Sequence, residues 1–163
     1  MFLQSNKIAD MEHFVNKVTQ MNKDLQSVSD EIKKVDRRLE TLEQHMSQVE
    51  IRRQYKAVYE KYHKLTGKKS DSFYDEHFEE IQSYKAANQY IKAVLNGRTT
   101  IPTSDWKKEQ ERLRAYRYSL CENFYKLSDD VRMTEIIKKG AEEIIKEEVR
   151  DVQRTRPRDV EVG

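Results

Sequence analysis

The stretch VTQMNKDLQSVSDEIKKVDRRLETLEQHMSQV, residues 18–49, decides the fold. Its apolar residues are Val18, Met21, Leu25, Val28, Ile32, Val35, Leu39, Leu42, Met46 and Val49, and they step by three and four without a miss. Lys, Asp, Glu, Gln, Ser and Arg fill the positions between them. A strand would alternate apolar and polar residues, and no alternation is present. A repeat of seven with two apolar positions keeps one narrow seam of an α-helix turned toward a partner helix over many turns. Upstream, Ile8, Met11 and Val15 lead into Val18; the steps 15–18–21 are both of three, which predicts local overwinding.

The pattern continues outward in both directions. Ile51, Tyr55, Val58, Tyr62 and Leu65 carry an apolar face beyond the heptad, and Thr66-Gly67 supplies a C-terminal stop. A first helix over about 5–66 follows, with a kink expected in it. Lys68 to Asp71 reads as a loop, and Ser72 with Asp75 as a capping-box-like start. Phe73, Phe78, Ile81, Tyr84, Ile91, Val94 and Leu95 then mark a second helix over about 72–96, ending at Asn96-Gly97. A third helix over about 103–152 opens after Pro102. Trp106, Leu113, Leu120 and Leu127 recur every seventh residue, Tyr116, Phe124 and Val131 widen the stripe, and Ile137, Ala141, Ile144, Ile145, Val149 and Val152 extend it. A break is expected near Ser128-Asp129 or Gly140. Residues 154–163, with Pro157, have little to bury and read as a disordered tail.

These elements predict an all-α chain: a long coiled-coil helical hairpin with a three-helix bundle at one end, forming a single elongated domain over 1–153. The bundle would combine 51–65, the second helix and 106–127. The thinner end, 8–49, would pair with 131–152 or with a second copy of the chain. Composition agrees. Of 163 residues 37% are charged and 36% hydrophobic, with only four Gly and two Pro. That charge fraction is high against the ~25% of typical domains and would leave a spherical core underfilled, whereas a seam needs two apolar positions in seven.

No catalytic or metal-binding motif is assembled. His13, His45, His63 and His77 are scattered, with no i,i+4 pair of the kind that binds zinc on one helix. Cys121 is the single cysteine and flanks Leu120 on an apolar stripe, as a structural thiol would. There is no phosphate-cradling glycine loop and no nucleophile elbow. Glu79-Glu80 and Glu142-Glu143 fall among other charges and read as solvated faces. The expectation is a chain that is not an enzyme, needs no cofactor, metal or small molecule, and has no membrane-spanning run or signal segment; a cytoplasmic setting is the default.

Charge is balanced overall at +2 but not locally. Between residues 50 and 69, Arg52, Arg53, Lys56, Lys61, Lys64, Lys68 and Lys69 face only Glu50 and Glu60. Tyr55, Tyr59 and Tyr62 interleave with them at helical spacing. A basic helix edge of this kind can track a phosphate backbone, so these seven are candidate DNA contacts. The plainer reading is a tyrosine face packed inside the bundle with a solvated lysine rim, partly answered by Asp71, Asp75, Glu76, Glu79 and Glu80. Lys107, Lys108, Arg112, Arg114 and Arg117 form a weaker second candidate.

Five stretches taken in order carry a resemblance. They are FLQSNKI at 2–8, the run Tyr55-Tyr59-Tyr62, FYDEHFEEIQSYKAA at 73–87, IPTSDWKKEQERL at 101–113 and EEVRDVQRTRPRDVEV at 147–162. Together they resemble the C-terminal region of relaxases, the mobilisation nucleases of Gram-positive conjugative and mobilisable elements; the opening of the third helix is the best single marker. The resemblance implies a part in DNA transfer, with the transfer-origin region and other transfer proteins as partners. The family's nicking domain, with its tyrosine and histidine-held metal, has no counterpart here, so no catalytic residue carries over. The abrupt start at Met1-Phe2-Leu3 reads as a segment of a longer protein. The rival expectation is a self-associating coiled-coil scaffold, a homodimer without a nucleic-acid role.

Overall fold

The computed structural model describes residues 2–155, with side chains from 9 to 154. All regular structure among the described residues is helical: α1 Phe2–Lys64, α2 Lys68–Glu76, α3 Phe78–Leu95 and α4 Thr103–Thr155. α1 runs without interruption through residues 49–51, where the heptad passes into the tyrosine face. No Gly or Pro precedes Gly67, so nothing in the backbone forces a kink. Lys61, His63 and Lys64 in its last turn suit the negative end of the helix dipole. Gly67 then turns the chain at φ 66°, ψ −141°, a conformation essentially reserved for glycine.

Three expectations about the breaks need correction. Lys68 to Asp71 is the first turn of α2 and not a loop; the Asp71 amide already donates to the Gly67 carbonyl at 3.2 Å. Ser72 and Asp75 therefore lie inside a helix and do not cap it. The expected second helix is divided at His77 (φ −115°, ψ 24°), although His77 N–H still reaches Phe73 and Ile81 N–H still reaches His77. One residue is distorted while the ladder carries across it. α3 ends as expected, with Asn96 left-handed at φ 47°. α4 shows no break at Ser128-Asp129 or at Gly140.

The chain forms two compact units where the sequence suggests a single domain over 1–153. One is Lys33–Arg117, holding the second half of α1, all of α2 and α3, and the opening of α4. The other joins the residues up to Ile32 with those from Tyr118 onward. α3 packs on the second half of α1 and gives that half its own core of Leu42, Ile81, Tyr84, Ala87, Ile91, Leu95 and Trp106.

Within the Lys33–Arg117 unit the contacts run in one ordered series. Tyr59 stacks on Tyr84 and Arg52 donates to Asn88. His45 meets both Tyr90 and Trp106. Arg38 pairs with Glu109 at 2.7 Å, and Arg117 pairs with Asp36. As α1 descends, first α3 and then α4 ascend. The two therefore occupy successive levels of α1, antiparallel to it. Residues 51–65 face 74–88, residues 36–45 face 106–117, and α1, α3 and α4 meet at His45, between Tyr90 and Trp106.

The seam is turned inward along its length. Val18, Val35 and Leu42 are buried, and Met21, Leu25, Val28, Ile32, Leu39, Met46 and Val49 are half-buried, while Lys33, Lys34, Arg37 and Glu40 beside them are exposed. On α4 the facing row keeps strict heptad phase from Trp106 through Leu113, Leu120, Leu127, Thr134, Ala141 and Glu148, all buried or half-buried. Five side chains expected to widen or extend this stripe do not. Tyr116, Ile137, Ile144, Val149 and Val152 are exposed, because holding the phase set at Trp106 turns them away. In the unit that joins the two chain ends, Met11 and Phe14 of α1 line a common groove with Ala141 and Ile145 of α4.

Candidate nucleic-acid interface

On α1, the core face of residues 51–65 is Ile51, Tyr55, Val58, Tyr62 and Leu65, all half-buried, with Tyr59 at its margin. Tyr59 and Tyr84 stack with centroids 4.3 Å apart, and Tyr62 lies 5.5 Å from Tyr74. The tyrosines thus hold α2 and α3 and are not presented to a ligand. The basic residues take what remains. Arg53, Lys56, Lys61, Lys64, Lys68 and Lys69 are exposed, and Arg52 is half-buried.

At about 100° per residue, Arg53, Lys56 and Lys64 fall on one solvent face, with Arg52 and Lys61 at its two edges. Three of the seven are already engaged, Arg52 through its hydrogen bond to Asn88. Arg53 pairs with Glu50 at 2.9 Å, and Lys61 lies over the Phe73 ring at 5.6 Å. Among the described residues, Lys56, Lys64, Lys68 and Lys69 take no ion pair, and no ion pair joins this row to the acidic residues of α2 and α3. Glu80 instead meets His77 at 3.2 Å. The acidic start expected to answer the row in part makes no ion pair with it among the described residues.

A feature the sequence did not reveal adjoins the row. Beside Arg52, a cavity of about 210 Å³ is lined by Asn88, Ile91, Lys92, Leu95, Arg98, Thr99 and Ile101. Three cationic side chains, an amide and a hydroxyl line it, and no carboxylate does. Lys92 and Arg98 lie far from residue 52 in sequence, and the antiparallel packing of α3 brings them to it. Their spacing gives no signal of this; the nearest hint is the basic side chains flanking Asn96-Gly97.

The second basic candidate is partly compensated. Arg117 is paired with Asp36, and Lys108 and Arg112 share a groove with Asp105 and Glu109. Glu109 is held below the usual carboxylate range by its hydrogen bond to Arg38. The histidines are dispersed. His45 is buried with its Nδ1 2.7 Å from the Tyr90 hydroxyl and its ring 5.0 Å from Trp106; burial, then the Arg38 charge, push its pKa down. His63 stacks on Tyr59, His77 lies against Phe73, and Cys121 is half-buried. Among the described residues no three His, Cys, Asp or Glu side chains gather as a metal site would need, and no helix is long and apolar enough to cross a membrane. The sequence matches no family model, no curated protein and no solved structure.

Proposed function

We propose that this chain is a non-catalytic helical region that grips nucleic acid by its phosphate backbone, as the C-terminal region of a conjugative relaxase would when assisting DNA mobilisation. The observation that carries the reading is the basic row of α1 with the carboxylate-free cavity at its side. Lys56, Lys64, Lys68 and Lys69 supply charge without base recognition, which fixes position on a duplex but reads no sequence. Arg52, Lys92 and Arg98 suit a single phosphate group seated more closely. A long antiparallel coiled-coil hairpin of α1 with α4, which we also infer, would hold such a surface stiffly at a distance from a nuclease and offer its flanks to other transfer proteins in the cytoplasm.

The test is duplex binding by fluorescence anisotropy over a range of salt, using unrelated sequences. Replacing Arg53, Lys56, Lys64 and Lys68 by alanine should weaken all duplexes alike and flatten the slope of log K against log salt by about 0.9 for each phosphate no longer neutralised. Lys92→Ala with Arg98→Ala should weaken binding further. A four-fold variant that folds normally and binds as the parent does would remove the row from the interface. A second reading, a self-associating scaffold without a nucleic-acid role, is favoured by the aliphatic side chains that α4 exposes; mass that rises with concentration in a chain that ignores DNA would select it.

A further inference from the structure

We propose, resting on the nucleic-acid reading above, that the cavity beside Arg52 seats the terminal phosphate of a strand, a phosphomonoester, at the point where the basic row of α1 ends. Three cationic side chains reach this cavity from three places: Arg52 from α1, Lys92 from α3 and Arg98 from the loop after α3. None of the three takes an ion pair among the described residues, and no carboxylate lines the cavity. Arg52 Nε donates to Asn88 Oδ1 at 3.2 Å, which orients the guanidinium and leaves its two terminal nitrogens for an anion. Asn96 and Gly97 are left-handed at φ 47° and 89°, and the Arg98 amide donates to the Leu95 carbonyl at 3.1 Å. That turn carries Arg98 and Thr99 to the cavity at the end of α3.

The ligand follows from what lines the cavity and from what lies on either side of it. Ile91, Leu95 and Ile101 give it an apolar wall, and Asn88 and Thr99 add an amide and a hydroxyl. Its volume of about 210 Å³ is below the ~300–1,000 Å³ of sites that enclose a whole small ligand. It therefore takes a charged group with the carbons next to it, and not a complete nucleotide. A phosphomonoester carries about 1.5 to 2 negative charges at pH 7 and three terminal oxygens, whereas a phosphate inside a strand has one charge and two such oxygens. Three cations around one recess match the first. Position gives the same answer. From Arg52 to Lys64 the row extends about 18 Å along α1. In the other direction it stops: residues 39–51 contain no Lys or Arg, but do contain Glu40, Glu43 and Glu50. On α4, Asp105 and Glu109 stand among Lys108 and Arg112. A strand laid on the row thus runs out of cations at Arg52, where the cavity lies.

The test is fluorescence anisotropy of the full chain with one duplex prepared in two forms, its 5′ ends phosphorylated or left as hydroxyls. The phosphorylated form should bind at least about tenfold tighter, a difference of about 1.4 kcal/mol. Lys92→Ala with Arg98→Ala should abolish that ratio; both side chains are exposed, so helical circular dichroism should not change. Replacing Arg53, Lys56, Lys64 and Lys68 by alanine should weaken both forms and keep the ratio, which separates the cavity from the row. A 5′-phosphorylated thymidine trinucleotide is too short to cover the row, at about 3.4 Å per nucleotide. Should the chain ignore both duplexes yet prefer this trinucleotide to its hydroxyl form, and lose the preference with Lys92→Ala and Arg98→Ala, the row falls and the phosphomonoester seat stands. Equal affinity for the two duplex forms, both bound, would overturn the proposal, as would a preference that survives the double substitution. So would inorganic phosphate that displaces the phosphorylated trinucleotide at equal concentration, because the cavity would then serve free phosphate and not a strand end.

Discussion

Among the described residues Leu42 is one of two large side chains fully buried, with 0% exposure, and it stands in the seam one turn from His45. Leu42→Ala removes three carbons from water-free surroundings. At about 0.8 kcal/mol for each buried methylene the transfer loss alone is about 2.4 kcal/mol. The cavity left behind adds to this, and fully buried leucines replaced by alanine cost ~2–5 kcal/mol in all. About 3 kcal/mol is therefore expected. With a urea dependence of ~1–3 kcal/mol per molar, the unfolding midpoint should fall by about 1–3 M. Circular dichroism at the helical minimum follows it, and a probe in each unit is needed because two units can unfold separately. The fluorescence of Trp106, the single tryptophan, reports on the unit that contains Leu42. Tyr125→Ala is the control: at 70% exposure it should move stability by no more than ~0.5 kcal/mol. Equal midpoints for the two variants would show that the seam is not a core, and the pairing of α1 with its neighbours would be refuted.

His45 makes stability depend on pH. Its folded-state pKa is lowered by burial, so the folded chain binds fewer protons there than the unfolded chain. The stabilisation is fully present above the ordinary histidine pKa of about 6.5 and is lost as pH falls below it. The urea midpoint should drop between pH 7 and 5, and the drop should be smaller in His45→Gln. Glu109, lowered by its bond to Arg38, acts in the same direction, with its loss starting nearer the ordinary carboxylate range. Tyr59→Ala removes the ring stacked on Tyr84 and should destabilise the Lys33–Arg117 unit by about 2 kcal/mol, leaving duplex binding unchanged in the folded protein; a loss of binding at full helical content would place the ring in the interface.

Much of the fold was legible because the heptad is both long and regular. The ten seam positions all turn inward, and the stops at Gly67 and Asn96-Gly97 follow from backbone conformations that few other residues adopt. The tyrosine face was legible for the same reason, since a 3.6-residue period alone puts Tyr55 and Tyr62 on the side of Ile51 and Val58. What was not legible is how the helices meet. The order of residues does not say that α3 and α4 follow one another along α1, and the cavity of Arg52, Lys92 and Arg98 exists only as a result of that succession. The start of α2 was missed because it uses neither a side-chain cap nor a capping box; a backbone turn at Gly67 does the work instead.

The misreading of α4 beyond residue 131 has a more specific cause. Counting apolar residues there follows Ile137 and Ile144, whereas the helix keeps the phase set by Trp106, Leu113, Leu120 and Leu127. Strict phase brings Thr134 to a buried position and Lys138 and Glu148 to half-buried ones. Each can be tolerated. The Thr134 hydroxyl donates to the Asp130 carbonyl within its own helix at 2.7 Å, and Lys138 can extend its stem along the seam while its ammonium stays by Glu142. A seam that accepts polar residues while aliphatic ones face water is poorly explained by the stability of one chain, since turning the helix by a third would bury more apolar surface against α1. The phase is instead set by the longer, better-packed register from Trp106 to Leu127, which α4 holds without a stutter through Glu148. The aliphatic residues Met133, Ile136, Ile137 and Ile144 therefore occupy a face of α4 that the row facing α1 leaves in water.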